Sequence, residues 1–157
     1  MRKAMGIAAV CAALGACMSI PNEVSPSLNG LSGVTVAPGP QNYPVIKAIT
    51  FQKQPLASTD TLVLCIKQTA ELVLAEPVVT ADRVTASGRL SYPIHYQGFH
   101  AQMRYSLVVS PGAGSYRFER ISYEKEGGEL AAVAHAAPEN AYAKFQELAD
   151  QIDRCAR

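Results

Sequence analysis

From Val45 onward the apolar positions of this chain fall into regular periods, and the period changes where turn residues stand. Ile46 to Gln54 alternates, with Ile49 and Phe51 on one side and Thr50 and Gln52 on the other, which predicts a strand. Ser58, Thr59 and Asp60 then offer side chains that can cap a helix N-terminus. Behind them Leu62, Cys65, Ile66, Thr69, Leu72 and Val73 recur at helical spacing, and Val63 and Leu64 widen the stripe. A well-covered helix is predicted from Thr61 to Ala75, stopped by Pro77.

Three alternating runs follow. Val84 to Ile94 places Ala86, Gly88, Leu90, Tyr92 and Ile94 on one side against Thr85, Ser87, Arg89 and Ser91. Phe99 to Val109 places Phe99, Ala101, Met103, Tyr105, Leu107 and Val109 on one side against His100, Gln102, Arg104, Ser106 and Val108. Pro111, Gly112, Ala113 and Gly114 form a turn, and Ser115 to Tyr123 returns as a strand. Its apolar parity switches from Tyr116 and Phe118 to Ile121 and Tyr123, which predicts a bulge or a two-sided end. After Gly127 and Gly128, Pro138 and Glu139 open a last helix reaching about Arg154. Its stripe is Tyr142, Phe145, Leu148, Ala149, Ile152 and Cys155, so Cys65 and Cys155 are both expected on buried helix faces.

The order is strand, helix, three antiparallel strands, helix. One-sided alternation together with the helical stripes predicts an α+β domain over residues 45–157, with a four-stranded antiparallel sheet and both helices on one face. Residues 17–44 carry Pro21, Pro26, Pro38, Pro40 and Pro44 among Ser, Asn and Gly, a composition that predicts a flexible tether. Val34 to Val36 is the one stretch there with weak strand character. The element order and the Gly114 to Phe118 return resemble the TBP-like or helix-grip domains of small envelope lipoproteins. That resemblance implies a fold and carries no active site.

The first seventeen residues are of another kind. Arg2 and Lys3 precede an uncharged apolar run from Ala4 to Ala16, which ends at Leu14, Gly15, Ala16 and Cys17. The run is shorter than the roughly 20 residues that span a bilayer. These residues resemble the signal peptide and lipobox of bacterial lipoproteins, although Gly15 stands where Ala or Ser is more usual. The resemblance implies removal of residues 1–16, diacylglycerol on Cys17 and acylation of its new amino group. Two or three acyl chains make release from a bilayer negligible. Met18 stands where an Asp would hold such a protein at the inner membrane, so the implied address is the outer membrane, periplasmic side. A Gram-positive source would place it on the outer face of the plasma membrane.

Charge and cysteines fit this reading. The chain has 14 Lys and Arg against 13 Asp and Glu, and without Arg2 and Lys3 it has 12 against 13. No block of like charge points to nucleic acid. Of four cysteines, Cys11 leaves with the signal and Cys17 takes lipid, so Cys65 and Cys155 remain as an expected disulfide of an oxidising compartment. The alternative is two unpaired buried thiols.

Catalytic patterns are weak. His95, His100 and His135 lack the spacing of a metal site, no Ser sits in a Gly-x-Ser-x-Gly elbow, and Gly112 and Gly114 belong to a hairpin turn. Glu124 and Glu126 are expected to be solvated. The enriched surface candidate is the stretch Tyr92 to His100, where Tyr92, His95, Tyr96 and His100 crowd a hairpin tip that Pro93 disturbs. There the simplest expectation is that Tyr92 and Phe99 close the core and Tyr96 alone is exposed. The second candidate is the uncovered sheet face bearing Arg89, Gln102, Arg104 and Arg117. The expectation is therefore a non-catalytic, lipid-anchored accessory or binding module without a cofactor or metal, acting on an envelope protein or cell-wall component. An envelope-polymer hydrolase would instead require two or more of His95, His100, Asp82, Glu119 and Ser91 to converge on a cleft, and a structural spacer would require none of these surfaces.

Overall fold

The alternating runs build a sheet of six strands, two more than the sequence pattern announces. A computed structural model describes residues 23–69, 74–95 and 98–157. Its strands are β1 (Val34–Pro38), β2 (Pro44–Gln52), β3 (Val78–Val79), β4 (Val84–Pro93), β5 (His100–Ser110) and β6 (Ser115–Tyr123). All pair antiparallel, in the order β1-β2-β6-β5-β4-β3. The added strands are the two edges. β3 is only two residues long, too short to show a period.

β1 corrects the expected tether over residues 17–44. The folded body reaches back to Ser25, whose amide donates to the Ala132 carbonyl at 2.7 Å and which is 3% exposed. Leu28 lies in the core, and Leu31, Val34 and Val36 pack against it. Prolines suit an edge strand, where a missing amide costs no ladder bond. Gly33 makes the docking possible: at φ +76° its carbonyl accepts from the Thr50 amide at 2.9 Å, and a Cβ there would stand 2.0 Å from the Thr50 oxygen. Residues 1–22, including the signal segment and Cys17, lie outside the described residues.

Two helices cover one face. α1 (Thr59–Thr69) is capped by Ser58, whose Oγ accepts from the Thr61 amide at 3.2 Å. It buries Leu62, Cys65 and Ile66 only, and Leu64 is 54% exposed rather than covered. The predicted extension to Ala75 is also corrected, because the Leu74 amide donates to the Ser87 carbonyl at 3.0 Å, which sets Leu74 beside β4. Leu72 and Val73 lie outside the described residues. α2 (Pro138–Ala156) buries Tyr142, Phe145, Leu148, Ala149 and Ile152 as its stripe predicts. Phe145 meets Phe118 at 4.7 Å and Tyr105 at 5.4 Å between ring centroids, which ties α2 to the middle of the sheet.

A disulfide joins Cys65 to Cys155 and therefore α1 to α2. Cys65 is buried, but Cys155 is exposed, contrary to the expectation that both face the core. On α2 the stripe passes from Ile152 to Ala156, four residues on, which leaves Cys155 at the rim where α1 approaches from the side.

The parity switch in β6 is a bulge. Arg104 pairs with Ser122 and Ser106 with Glu119, so Arg120 and Ile121 both stand opposite Tyr105, and Arg120 takes a φ of 53°. Beyond it Ile121 points into the core, and Ser122 and Glu124 turn to the open face.

Candidate functional site

The bulge assembles a charged cluster on the uncovered face. Arg89 of β4 and Arg104 of β5 are directly opposed partners, an arrangement that repels on its own. Glu124 stands between them: its Oε1 forms an ion pair with Arg89 Nη2 at 2.9 Å and accepts from Arg104 Nη2 at 3.3 Å. Its backbone amide donates to the Gln102 carbonyl at 2.9 Å. Glu124 is thus a half-buried bridge rather than the solvated loop residue expected. Arg104 keeps 52% of its side chain in solvent. Gln102 Nε2 donates to Ser91 Oγ at 3.1 Å, and Arg117 Nε donates to Glu119 Oε2 at 3.0 Å. Between these charges lie hydroxyls, with Ser87 opposite Ser106 and Thr85 opposite Val108. Four expected residues, Arg89, Gln102, Arg104 and Arg117, therefore share one face.

The β4–β5 tip forms a second region. The Ile94 amide donates to the Phe99 carbonyl at 3.1 Å, closing the hairpin, and Pro93 pairs with His100. Tyr92 is buried, as the core expectation has it, and its hydroxyl donates to the Ala136 carbonyl at 2.9 Å. Burial pushes that phenol above its ordinary pKa, with Tyr123 beside it adding to the rise. Phe99 was expected to close the core and instead is 66% exposed. At this end the α2 residues Glu139 and Asn140 engage His95 and the Pro93 carbonyl rather than the Phe99 ring, so strand parity there does not imply burial. Tyr96 lies outside the described residues.

One carboxylate fastens this tip. Glu139, in the first turn of α2, places Oε1 3.0 Å from His95 Nε2 and accepts from Ser27 Oγ at 2.6 Å through Oε2. Asn140 adds a bond from Nδ2 to the Pro93 carbonyl at 2.8 Å. The chain's lead-in and the hairpin tip therefore meet at the start of α2. Sequence reasoning missed Glu139 as a partner of His95, because 44 residues separate them. The only signal was an acidic residue in the first turn of a helix.

Beside the tip is a groove of about 440 Å³ lined by Ile94, Ala101, Tyr123, Ala131 and Ala136, with His100, His135, Lys125 and Glu126 among its polar groups. That volume falls in the range of small-ligand sites. His100 thus joins His135, which no spacing predicted. Among the described residues no three His, Cys, Asp or Glu side chains could share a metal ion. Of the five residues from which a hydrolase would bring two or more together, Asp82 binds Arg83 and Thr80, Glu119 binds Arg117, Ser91 binds Gln102, His95 pairs with Glu139, and His100 lines the groove.

Comparison of the chain with protein-family models, curated proteins and solved structures finds no match. No described helix is long and apolar enough to cross a membrane.

Proposed function

We propose that this protein is a lipid-anchored, non-catalytic binding module of the bacterial envelope, held through acylated Cys17 at the outer membrane and facing the periplasm. The observation that carries the binding role is the open sheet face. Arg104 and Arg117 reach solvent there among serine and threonine hydroxyls, while the helices cover the other face. A rigid polar face of this kind suits an extended envelope polymer or the surface of another envelope protein, because its donors are held in register by the sheet. The anchor rests on Leu14, Gly15, Ala16 and Cys17, and the Cys65–Cys155 disulfide is consistent with an oxidising compartment.

The test has two parts. Cys17→Ala should move the protein from the membrane to the soluble periplasmic fraction, and retention at the membrane would remove the anchor. Arg104→Glu combined with Arg117→Glu should abolish crosslinks formed in intact envelopes by the wild-type protein. Unchanged crosslinks would remove the open face as the binding surface.

A further inference from the structure

We propose that the β4–β5 tip is a membrane-seating face, on which Phe99 enters the headgroup boundary of the bilayer that holds the anchor. The proposal rests on the anchor at Cys17 and goes beyond it, since an anchor alone leaves the orientation of the body undefined. Its first support is where the chain joins the body. Ser25 is bonded to Ala132, and Ser27 shares the Glu139 carboxylate with His95 of the tip. The first described residues of the chain and the tip therefore meet at the same end of the body. Its second support is length. Because the body reaches back at least to Ser25, at most residues 17–24 separate it from Cys17, and eight residues span at most about 29 Å even when fully extended. A span from Cys17 to residue 44 would let the domain roam; the shorter reach keeps the Ser25 end of the body, and the tip tied to it through Glu139, near the lipid surface.

Its third support is the chemistry of the tip. Phe99 is the most exposed large apolar side chain among the described residues, at 66%, with Pro93 exposed next to it and Ile94 and Ala101 behind it. Burying an aromatic ring in the boundary layer repays its exposure to water, and it does so at low entropy cost because a short hairpin already holds it. With the tip on the bilayer, the strands stand away from it and the open face with Arg104 and Arg117 is displayed sideways to the envelope.

The chain contains no Trp, so Phe99→Trp introduces a single tryptophan, excited apart from the tyrosines at the red edge of the absorption band. Ala113→Trp, at the far turn of β5, is the control, about 33 Å away along an 11-residue strand. The lipidated variants are reconstituted into phosphatidylethanolamine and phosphatidylglycerol vesicles with brominated acyl chains, and the same substitutions in a Cys17→Ser background are added to the same vesicles. Expected from Phe99→Trp is a blue-shifted emission, quenched roughly twofold by bromine at the depth of interfacial residues, while the emission of Ala113→Trp stays unquenched. Quenching of Phe99→Trp in the Cys17→Ser background would uphold the face even if Cys17 carried no lipid. Absence of quenching in both backgrounds overturns it. A blue shift that bromine does not quench also overturns it, by assigning Phe99 to a second copy or a protein partner.

Discussion

Where β5 turns into β6 the sheet is bolted down; where β4 turns into β5 it is pinned at a few exposed points. At the first end the Lys53 amide donates to the Gly114 carbonyl at 2.7 Å and the Leu56 amide to the Pro111 carbonyl at 2.9 Å. Gly114 is held at φ +62°, where a Cβ would lie 2.2 Å from the Lys53 oxygen. Asp153 of α2 accepts from the buried Tyr116 hydroxyl and from Nε and Nη2 of Arg157, whose Nη2 also donates to the Gln54 carbonyl at 2.9 Å. Lys53 adds an ion pair with Asp150. At the second end one carboxylate, Glu139, does most of the fastening, and Phe99 is left in water. The lesson is a division of labour: buried polar networks and covalent closure hold one end, and the end left with exposed apolar and ionisable groups is the one free to recognise something.

The largest effect should come from the covalent clamp beside the bolted end. Replacing Cys65 and Cys155 together by Ala opens a loop closed over 90 residues of sequence, which the chain-entropy model values at about 4 to 5 kcal/mol. Urea unfolding measures this directly, and a loss below about 1 kcal/mol would show that the helices hold each other without the bond.

Asp153→Asn should cost about 1 to 3 kcal/mol by the same measurement, since Tyr116 and Arg157 lose a charged acceptor in a site only 9% exposed. The Arg157 hydrogen bonds hold the Asp153 carboxyl below its usual pKa against the opposing effect of burial, and Tyr116 lowers it further. A depressed folded-state pKa means that this stabilisation is complete above the unfolded value near 4 and disappears as pH falls through the folded one. Wild type should therefore lose more stability than Asp153→Asn between about pH 4 and pH 2, and parallel curves would break the comparison.

The smallest effects belong to the tip. Glu139→Gln should change global stability by less than about 1 kcal/mol, because His95 is 57% and Glu139 29% exposed. It should nevertheless speed hydrogen exchange at the Ile94 amide while leaving the Lys53 amide unchanged. Equal acceleration at both amides would mean that the two ends open as one unit.

Much of the sheet was legible because a strand with one buried face writes its period into the sequence. Met103, Tyr105, Leu107 and Val109 are buried as their alternation demands, and the parity break after Phe118 marks a real bulge. α2 was legible for the same reason. β1 was not, since its apolar residues are few and it is specified by a partner strand and by Gly33 pressed on Thr50. Phe99 misled because parity states which side a residue faces, not whether anything covers that side. The open-face residues Arg89, Gln102, Arg104 and Arg117 could be read from alternation. Glu124 between the arginines, Glu139 beneath His95, and His135 beside His100 could not, because their neighbours lie on other elements.

By itself the sequence determined the α+β class, the four inner strands, the C-terminal helix and the pairing of Cys65 with Cys155, since local periodicity and cysteine arithmetic need no distant information. Tertiary structure alone decided the two edge strands, the exposure of Cys155 and Phe99, and the meeting of Ser27 with His95 on Glu139. Each of these depends on which surfaces come to face one another, and contacts across such distances leave no period along the chain.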